Sequence, residues 1–219
     1  MARITDHPTS RLLVEGKDDF HVIHALCNRL HISVRNLENP TGGDFSIVDC
    51  NGKDNLIEQI PVQLKSSANI KTIGLIVDAD SELQNRWTSL KGLLTGQGFS
   101  IPDKLPRQGL IASNSDSKRI GVWIMPNNNL NGMLEDFISF LVPKQDDLLP
   151  IVNSTLQNIE DQQLNKYSLI HRPKAVIHTW LSWQAEPETT MAQSITKRYL
   201  TTDEETCLQL TNWLRELFK

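Results

Sequence analysis

An apolar run broken only by one glycine leads straight into two acids at Thr72-Ile73-Gly74-Leu75-Ile76-Val77-Asp78-Ala79-Asp80. A run this short, rich in β-branched residues and free of charge reads as a strand buried on both faces, as in a parallel sheet. Sheets of that kind gather their ligands at the carboxyl ends of the strands. Asp78 and Asp80 sit at that end. Two positions apart on an extended chain, their side chains leave on the same side. Carboxylates held together repel, so they call for a divalent cation or a shared proton. The competing reading is a pair that caps the next helix. Ser81 is a further candidate cap there, with Gln84 three residues on completing a capping box.

The stretches before that strand repeat its logic. Ser10 to Val14 is apolar and ends in Glu15-Gly16-Lys17-Asp18-Asp19, followed by helical spacing at Val22, Ile23, Leu26 and Leu30. Asp18 and Asp19 fit the first turn of that helix, where the dipole favours anions. Glu15 stands apart, at the strand's carboxyl end, and Gly16 lets the backbone turn sharply after it. The 39–44 segment is a loop, and Phe45 to Cys50 alternates as a second strand. Asn51-Gly52-Lys53-Asp54 then turns into a helix carrying Leu56, Ile57, Ile60 and Leu64, with Pro61 expected to end or kink it. A Gly-Lys pair at a helix start can hold a phosphate through free N–H groups and one ammonium. The Gly-x4-Gly-Lys spacing of a Walker A loop is missing, and an ordinary surface lysine is the competing reading. The helix after Asp80 carries Leu83, Trp87, Leu90 and Leu94. The order β-α-β-α-β-α implies right-handed crossovers and a parallel sheet. Glu15 and the Asp78/Asp80 pair then lie on one sheet edge.

Two further strands are expected at Gly109–Ala112 and Ile120–Met125, then a loop at Pro126-Asn127-Asn128-Asn129. Gly132 precedes a helix whose first turn holds Glu135 and Asp136, either as dipole-favoured acids or as site residues. Asp146 to Tyr167 is amphipathic and helical. Pro173 begins another helix with Val176, Ile177, Trp180, Leu181 and Gln184 on one stripe, read as core or partner surface. Thr202 and Glu205 form a capping box for a last helix with Leu210, Leu214 and Leu217 on its face. Residues 8–142 read as an α/β core, and 143–219 as a helical extension packed on it.

With 219 residues and a net charge of −4, the chain lacks the basic surface of a protein that coats nucleic acid. A single local contact patch stays open. Cys27, Cys50 and Cys207 are far apart and form no CxxC, so buried thiols in a reducing cytoplasm are expected. No apolar run approaches the roughly 20 residues that span a membrane, and the polar N-terminus is no signal peptide.

Glu15-Gly16 after the first strand, Gly52-Lys53 after the second and Asp78-x-Asp80 after the third together resemble the TOPRIM domain over about residues 8–142. That domain occurs in topoisomerases, bacterial primases and OLD-family nucleases. Met125-Pro126-Asn127-Asn128, Gly132-x-Leu134-Glu135-Asp136-Phe137 and the later Lys174-Ala175 with His178-Thr179-Trp180-Leu181 resemble its DUF3226-type branch. The resemblance implies a Rossmann-like three-layer sandwich with a mostly parallel central sheet and added C-terminal helices. It also implies Mg²⁺ or Mn²⁺ held by Glu15, Asp78 and Asp80, with Glu135 or Asp136 completing a second metal site. Glu15, Lys53, Asp78 and Asp80 would be catalytic, and Gly16, Gly52 and Lys53 would bind phosphate. Topoisomerases add a nucleophilic tyrosine, and Tyr167 and Tyr199 stand in no such context.

The leading expectation is metal-dependent phosphoryl transfer, as a nuclease or nuclease-like subunit acting on DNA or RNA. A non-catalytic metal- or nucleotide-binding subunit, paired with an ATPase on another chain as in OLD-type proteins, is the alternative. A DxD-type phosphatase is the second alternative, although such enzymes usually place their aspartates after the first strand and carry a Thr missing here. Sugar-nucleotide transferases would leave Glu15-Gly16 and Gly52-Lys53 unexplained.

Overall fold

The computed structural model describes residues 10–35, 42–66 and 70–219. The loop expected at 39–44 falls partly outside them. Six strands form one sheet in the order β2-β3-β1-β4-β6-β5. These are β1 (Ser10–Val14), β2 (Val34–Arg35), β3 (Phe45–Asp49), β4 (Thr72–Asp78), β5 (Leu110–Ser113) and β6 (Arg119–Met125). All neighbouring pairs are parallel except β5 with β6, which makes β5 an antiparallel edge. The expected mostly parallel α/β sandwich is the fold observed. Strand β2, only two residues long, carries too little pattern to be read from sequence.

Strand β1 pairs with β3 on one side and β4 on the other. The chain winds from β1 outward through β3, then crosses back to build β4 and β6. The switch point therefore falls between β1 and β4, where an open α/β sheet forms its ligand crevice. Glu15 follows β1 and Asp80 follows β4, so both border that crevice.

Each face of the sheet is covered. On one side α2 (Lys53–Ser66) and α3 (Leu83–Thr95) bury Leu56, Ile60, Trp87, Leu90 and Leu94 against Leu13, Leu75 and Val77. Pro61 lies inside α2, which runs on through it to Ser66 without ending. On the other side α1 (Lys17–Arg29) packs with α4 (Leu134–Phe140), α5 (Leu148–Asp161), α6 (Arg172–Ser182), α7 (Met191–Thr196) and α8 (Glu205–Leu217). Those C-terminal helices share one apolar core with Leu12, Val14, Ile76, Trp123 and Met125 of the sheet. Arg29 closes that seam by donating to the carbonyls of Ile195 and Leu200 at 2.8 and 2.7 Å. The expected stripe of α6 is buried at Val176, Ile177, Trp180 and Leu181. Helix α8 begins at Glu205 after Glu204, so Thr202 does not cap it. Helix α3 likewise starts after Glu82 with no side-chain cap, which sets aside the Ser81 reading. All three cysteines are buried and free. No helix among the described residues is long and apolar enough to cross a membrane.

Helix α8 reaches the sheet because two strand residues lack side chains. A Cβ on Gly74 would stand 2.7 Å from Leu12, 2.9 Å from Leu217 and 3.0 Å from Phe218. A Cβ on Gly121, beside Gly74 in the register, would collide with Leu217 and stand 2.9 Å from Trp213. Overpacking a close-packed interior costs about 1–3 kcal/mol, and each kcal/mol lowers the midpoint of a chain this size by about 2–4 °C. Gly121→Ala should lower the melting temperature on that scale. Because Leu217 is the side chain struck, Gly121→Ala with Leu217→Ala should cost less than the sum of the single changes. Additive losses in a thermal-melt cycle would show that the two residues do not compete for space.

Candidate functional site

Strand β1 stops at Val14, paired with Ile76, while β4 runs on to Asp78 beside β6. That leaves the Asp78 N–H facing the place where β1 would have continued. The Glu15 side chain fills it, its Oε1 accepting from the Asp78 N–H at 3.1 Å. A side chain thus completes the ladder where the backbone has turned away. Asp78 is fixed a second time, its Oδ1 accepting from the N–H of Leu134 at the start of α4, 3.0 Å away.

Helices α1 and α4 begin in the same way. Asp19 Oδ2 accepts from the Gly16 N–H at 3.1 Å, and Asp136 Oδ2 accepts from the Met133 N–H at 2.8 Å. In both, an acid in the first turn reaches back to an N–H that the helix leaves unpaired. Gly132, at φ +138°, permits this geometry, since a Cβ there would stand 2.5 Å from Asp136 Oδ2. Asp136 thus caps α4 as Asp19 caps α1.

Glu135 is buried and makes an ion pair with Lys174 of α6 at 3.5 Å. Its charge, together with those of Glu15 and Asp19, bears on Asp78. Four carboxyls from four elements thus share one edge of the sheet: Glu15, Asp19, Asp78 and Glu135. Burial, and then the charges of Asp19, Glu15 and Glu135, push Asp78 well above the usual carboxylate range. Burial pushes Asp19 up to about 7, with Glu15 and Glu135 adding to it. Burial also raises Glu15, against the lowering effect of its bond from Asp78 and of Arg86.

Asp19 is the residue sequence reasoning missed. The helix dipole accounts for it as readily as for its exposed neighbour Asp18. The overlooked signal is spacing: Asp19, Val22, Ile23 and Leu26 form one helical stripe, and all four are buried.

Asp80 is near this cluster but turned from it. Its backbone lies in the left-handed region at φ +53°, held by paired bonds with Gly132 of 2.9 and 2.8 Å. Its Oδ2 accepts from Arg86 Nη2 at 2.7 Å and faces Lys53 Nζ at 3.7 Å. Arg86 also donates from Nε to the Asp78 carbonyl at 2.8 Å, bracing the whole Asp78–Asp80 turn. No sequence pattern singled Arg86 out. Among the described residues, no three His, Cys, Asp or Glu side chains stand as a ready-made metal cage. Of the expected ligand set, Glu15, Asp78 and Glu135 come together, Asp80 faces Lys53 and Arg86, and Asp136 caps its own helix.

The phosphate expectation divides in a similar way. Lys53 opens α2 with its side chain exposed and near Asp80. The Gly52 N–H donates to the Glu15 carbonyl at 2.7 Å, and the Gly16 N–H is held by Asp19. Neither glycine offers a free backbone donor, so their expected phosphate contacts are not made available.

Residues 9–219 match the family model described as protein of unknown function, DUF3226. The chain belongs to the DUF3226 family. Among solved structures it is similar to the hypothetical protein PH0156 from Pyrococcus horikoshii OT3, at 15% identity and a TM-score of 0.59, over 95% of this chain and 94% of that one. At that identity the likeness shows a shared fold and nothing of activity. The C-terminal region of the OLD protein of Xanthomonas campestris pv. campestris aligns at 13% identity over 95% of each chain, with a TM-score of 0.46. No curated protein matches.

A pH response follows from the DUF3226 site as it stands. Asp19 holds its proton more tightly folded than unfolded. Its contribution to stability is full below its unfolded pKa of about 4 and is lost as the pH rises toward about 7. Asp19→Asn keeps an acceptor for the Gly16 N–H but removes the charge. In chelator at about pH 8 it should melt higher than wild type, and the margin should vanish toward about pH 4. A variant that melts lower than wild type at the alkaline end would show that the Asp19 charge stabilises the fold.

Proposed function

We propose that this protein is a divalent-metal-dependent phosphoryl-transfer protein, a nuclease or nuclease-like subunit that acts on nucleic-acid phosphodiesters. The observation that carries the reading is the cluster of buried and half-buried carboxyls at the switch point of the sheet. Glu15, Asp19, Asp78 and Glu135 come from the end of β1, α1, the end of β4 and α4, and burial with mutual repulsion raises Asp19 and Asp78. Such crowding is costly unless a proton or a cation relieves it. The donors are all carboxylate oxygens, the chemistry that suits hard cations such as Mg²⁺ or Mn²⁺. These four residues would hold the ion, with Asp80 joining them from its place beside Arg86. A bound ion of this kind polarises a phosphodiester and lowers the pKa of a bound water.

The chain's own groups supply the rest. Burial holds the Glu15 carboxyl above the usual carboxylate range, which favours its serving as the group that exchanges a proton at a leaving oxygen. Lys53, exposed at the rim of the site, adds positive charge where phosphate would lie. Arg86 fixes the backbone of the Asp78–Asp80 turn. Lys174 offsets one charge at Glu135.

Mg²⁺ or Mn²⁺ should raise the melting temperature of the wild type, since a ligand at 100 times its Kd adds about 2.7 kcal/mol to stability. Asp78→Asn with Asp80→Asn should lose that response. An equal shift in the double variant would place the ion elsewhere.

In a plasmid-nicking or single-stranded oligonucleotide assay with Mn²⁺, Asp78→Ala should abolish cleavage. Glu15→Gln should lower it by roughly 10²–10⁴-fold with metal affinity retained, the usual contribution of an acid/base group. A parallel fall in metal affinity would make Glu15 a ligand. Wild-type protein that binds the ion but cleaves neither substrate would leave a metal-binding subunit and overturn the enzymatic reading.

A further inference from the structure

Lys53 and Arg86 sit in the first turns of α2 and α3, on the same side of the sheet. Both address one atom, Asp80 Oδ2, from 3.7 and 2.7 Å. An ammonium and a guanidinium converging on one oxyanion is an arrangement that also grips phosphate. Arg86 is no surface partner picked up by chance. Its side chain is only 8% exposed, and its Nε is anchored on the Asp78 carbonyl at 2.8 Å. The Asp80 carboxylate, by contrast, is 39% exposed and open to exchange. Beside it lies a cavity of about 360 Å³ bordered by Lys53, Asp80, Arg86, Ser81, Asn85 and Ser89. The last three place hydroxyl and amide groups on the same cavity as the two cations. Glu82, also on this cavity, bonds to the Asn85 amide.

We infer that Lys53 and Arg86 form a subsite for a phosphodiester oxyanion, and that the Asp80 carboxylate occupies it in the free protein. A phosphate oxygen takes the place of Asp80 Oδ2 when Asp80 turns toward a cation at the carboxyl cluster. The exchange step rests on the metal reading above; the existence of the subsite does not. Cation and phosphate binding are then coupled. Each draws Asp80 out of, or keeps it out of, the same pair of positive groups, so each raises the affinity for the other by the same factor. Alone, either ligand competes with an internal ion pair.

Titration calorimetry with inorganic phosphate, in chelator, tests the subsite without any turnover. Asp80→Asn keeps the shape of the side chain but removes its charge, and should bind phosphate on the order of tenfold more tightly than wild type. Lys53→Met in the Asp80→Asn background should remove that gain, and Lys53 is exposed enough for the fold to tolerate the change. Equal phosphate affinity in wild type and Asp80→Asn would overturn the inference, as would a gain that survives Lys53→Met. Thymidylyl-thymidine and thymidine monophosphate, titrated in parallel into Asp80→Asn, separate the two sources of phosphate. Binding of the diester supports the inference; binding of the monoester alone overturns its assignment to a nucleic-acid strand. In wild type, Mg²⁺ should tighten phosphate binding, and no change would overturn the coupling. A gain in Asp80→Asn with no thermal response of wild type to Mg²⁺ leaves the subsite standing and removes the metal reading. A thermal response to Mg²⁺ with no gain in Asp80→Asn does the reverse.

Discussion

The hydrogen bond from the Asp78 N–H to Glu15 is the contact around which the site is built. It arises because β1 stops before its neighbour β4 does. A backbone N–H at the mouth of a crevice needs a partner, since leaving it unpaired costs about 1–3 kcal/mol. Glu15 supplies that partner and is drawn in over the end of the sheet. Its carboxylate then lies close enough to Asp19, Asp78 and Asp80 for their charges to act on one another. Local hydrogen bonding, more than any attraction among acids, assembles a cluster whose members repel.

That origin explains which parts of the site were legible in the sequence. Glu15, Asp78 and Asp80 could be read because each ends an apolar run, and strand ends of a parallel sheet share an edge by topology. The sheet, its direction and the helices on both faces followed from the same alternation of short apolar runs and 3.6-residue stripes. Asp19 and Glu135 were harder. Acids in a helix's first turn are usually explained by the dipole, and that explanation holds for exposed Asp18 and for Asp136, which caps α4. Only the buried face of each helix distinguishes its neighbour: Asp19 lies in line with Val22, Ile23 and Leu26, and Glu135 in line with Ile138. Arg86 carried no signal, and Lys174, although part of the DUF3226-type motif, carried none that pointed to Glu135. Their roles depend on where α3 and α6 come to rest, and no local pattern encodes contacts between residues eight or 39 positions apart.

The C-terminal helices bear on the site in the same indirect way. Gly74 and Gly121 leave room for Leu217, so α8 lies directly on the sheet behind the crevice. The core shared by α1, α4 and α6 with that face fixes where Asp19, Glu135 and Lys174 project. The extension read as an accessory to the α/β core is thus continuous with it in packing, and it carries the lysine that offsets Glu135.

Why Asp80 stands apart follows from balance of charge. A fifth carboxylate in the cluster would add a repulsion that burial makes costly. The left-handed backbone at Asp80 and its paired bonds to Gly132 turn the side chain toward Lys53 and Arg86 instead. There it lowers the self-repulsion of the cluster and neutralises two cations that would otherwise face each other. The arrangement is stable only while both sets of charges lack better partners. A cation would favour gathering the acids, and an anion would favour freeing Lys53 and Arg86. One side chain, on a turn braced by Arg86, therefore lies between the acids and the two cations of the crevice, on a left-handed backbone of the kind that clusters at functional sites.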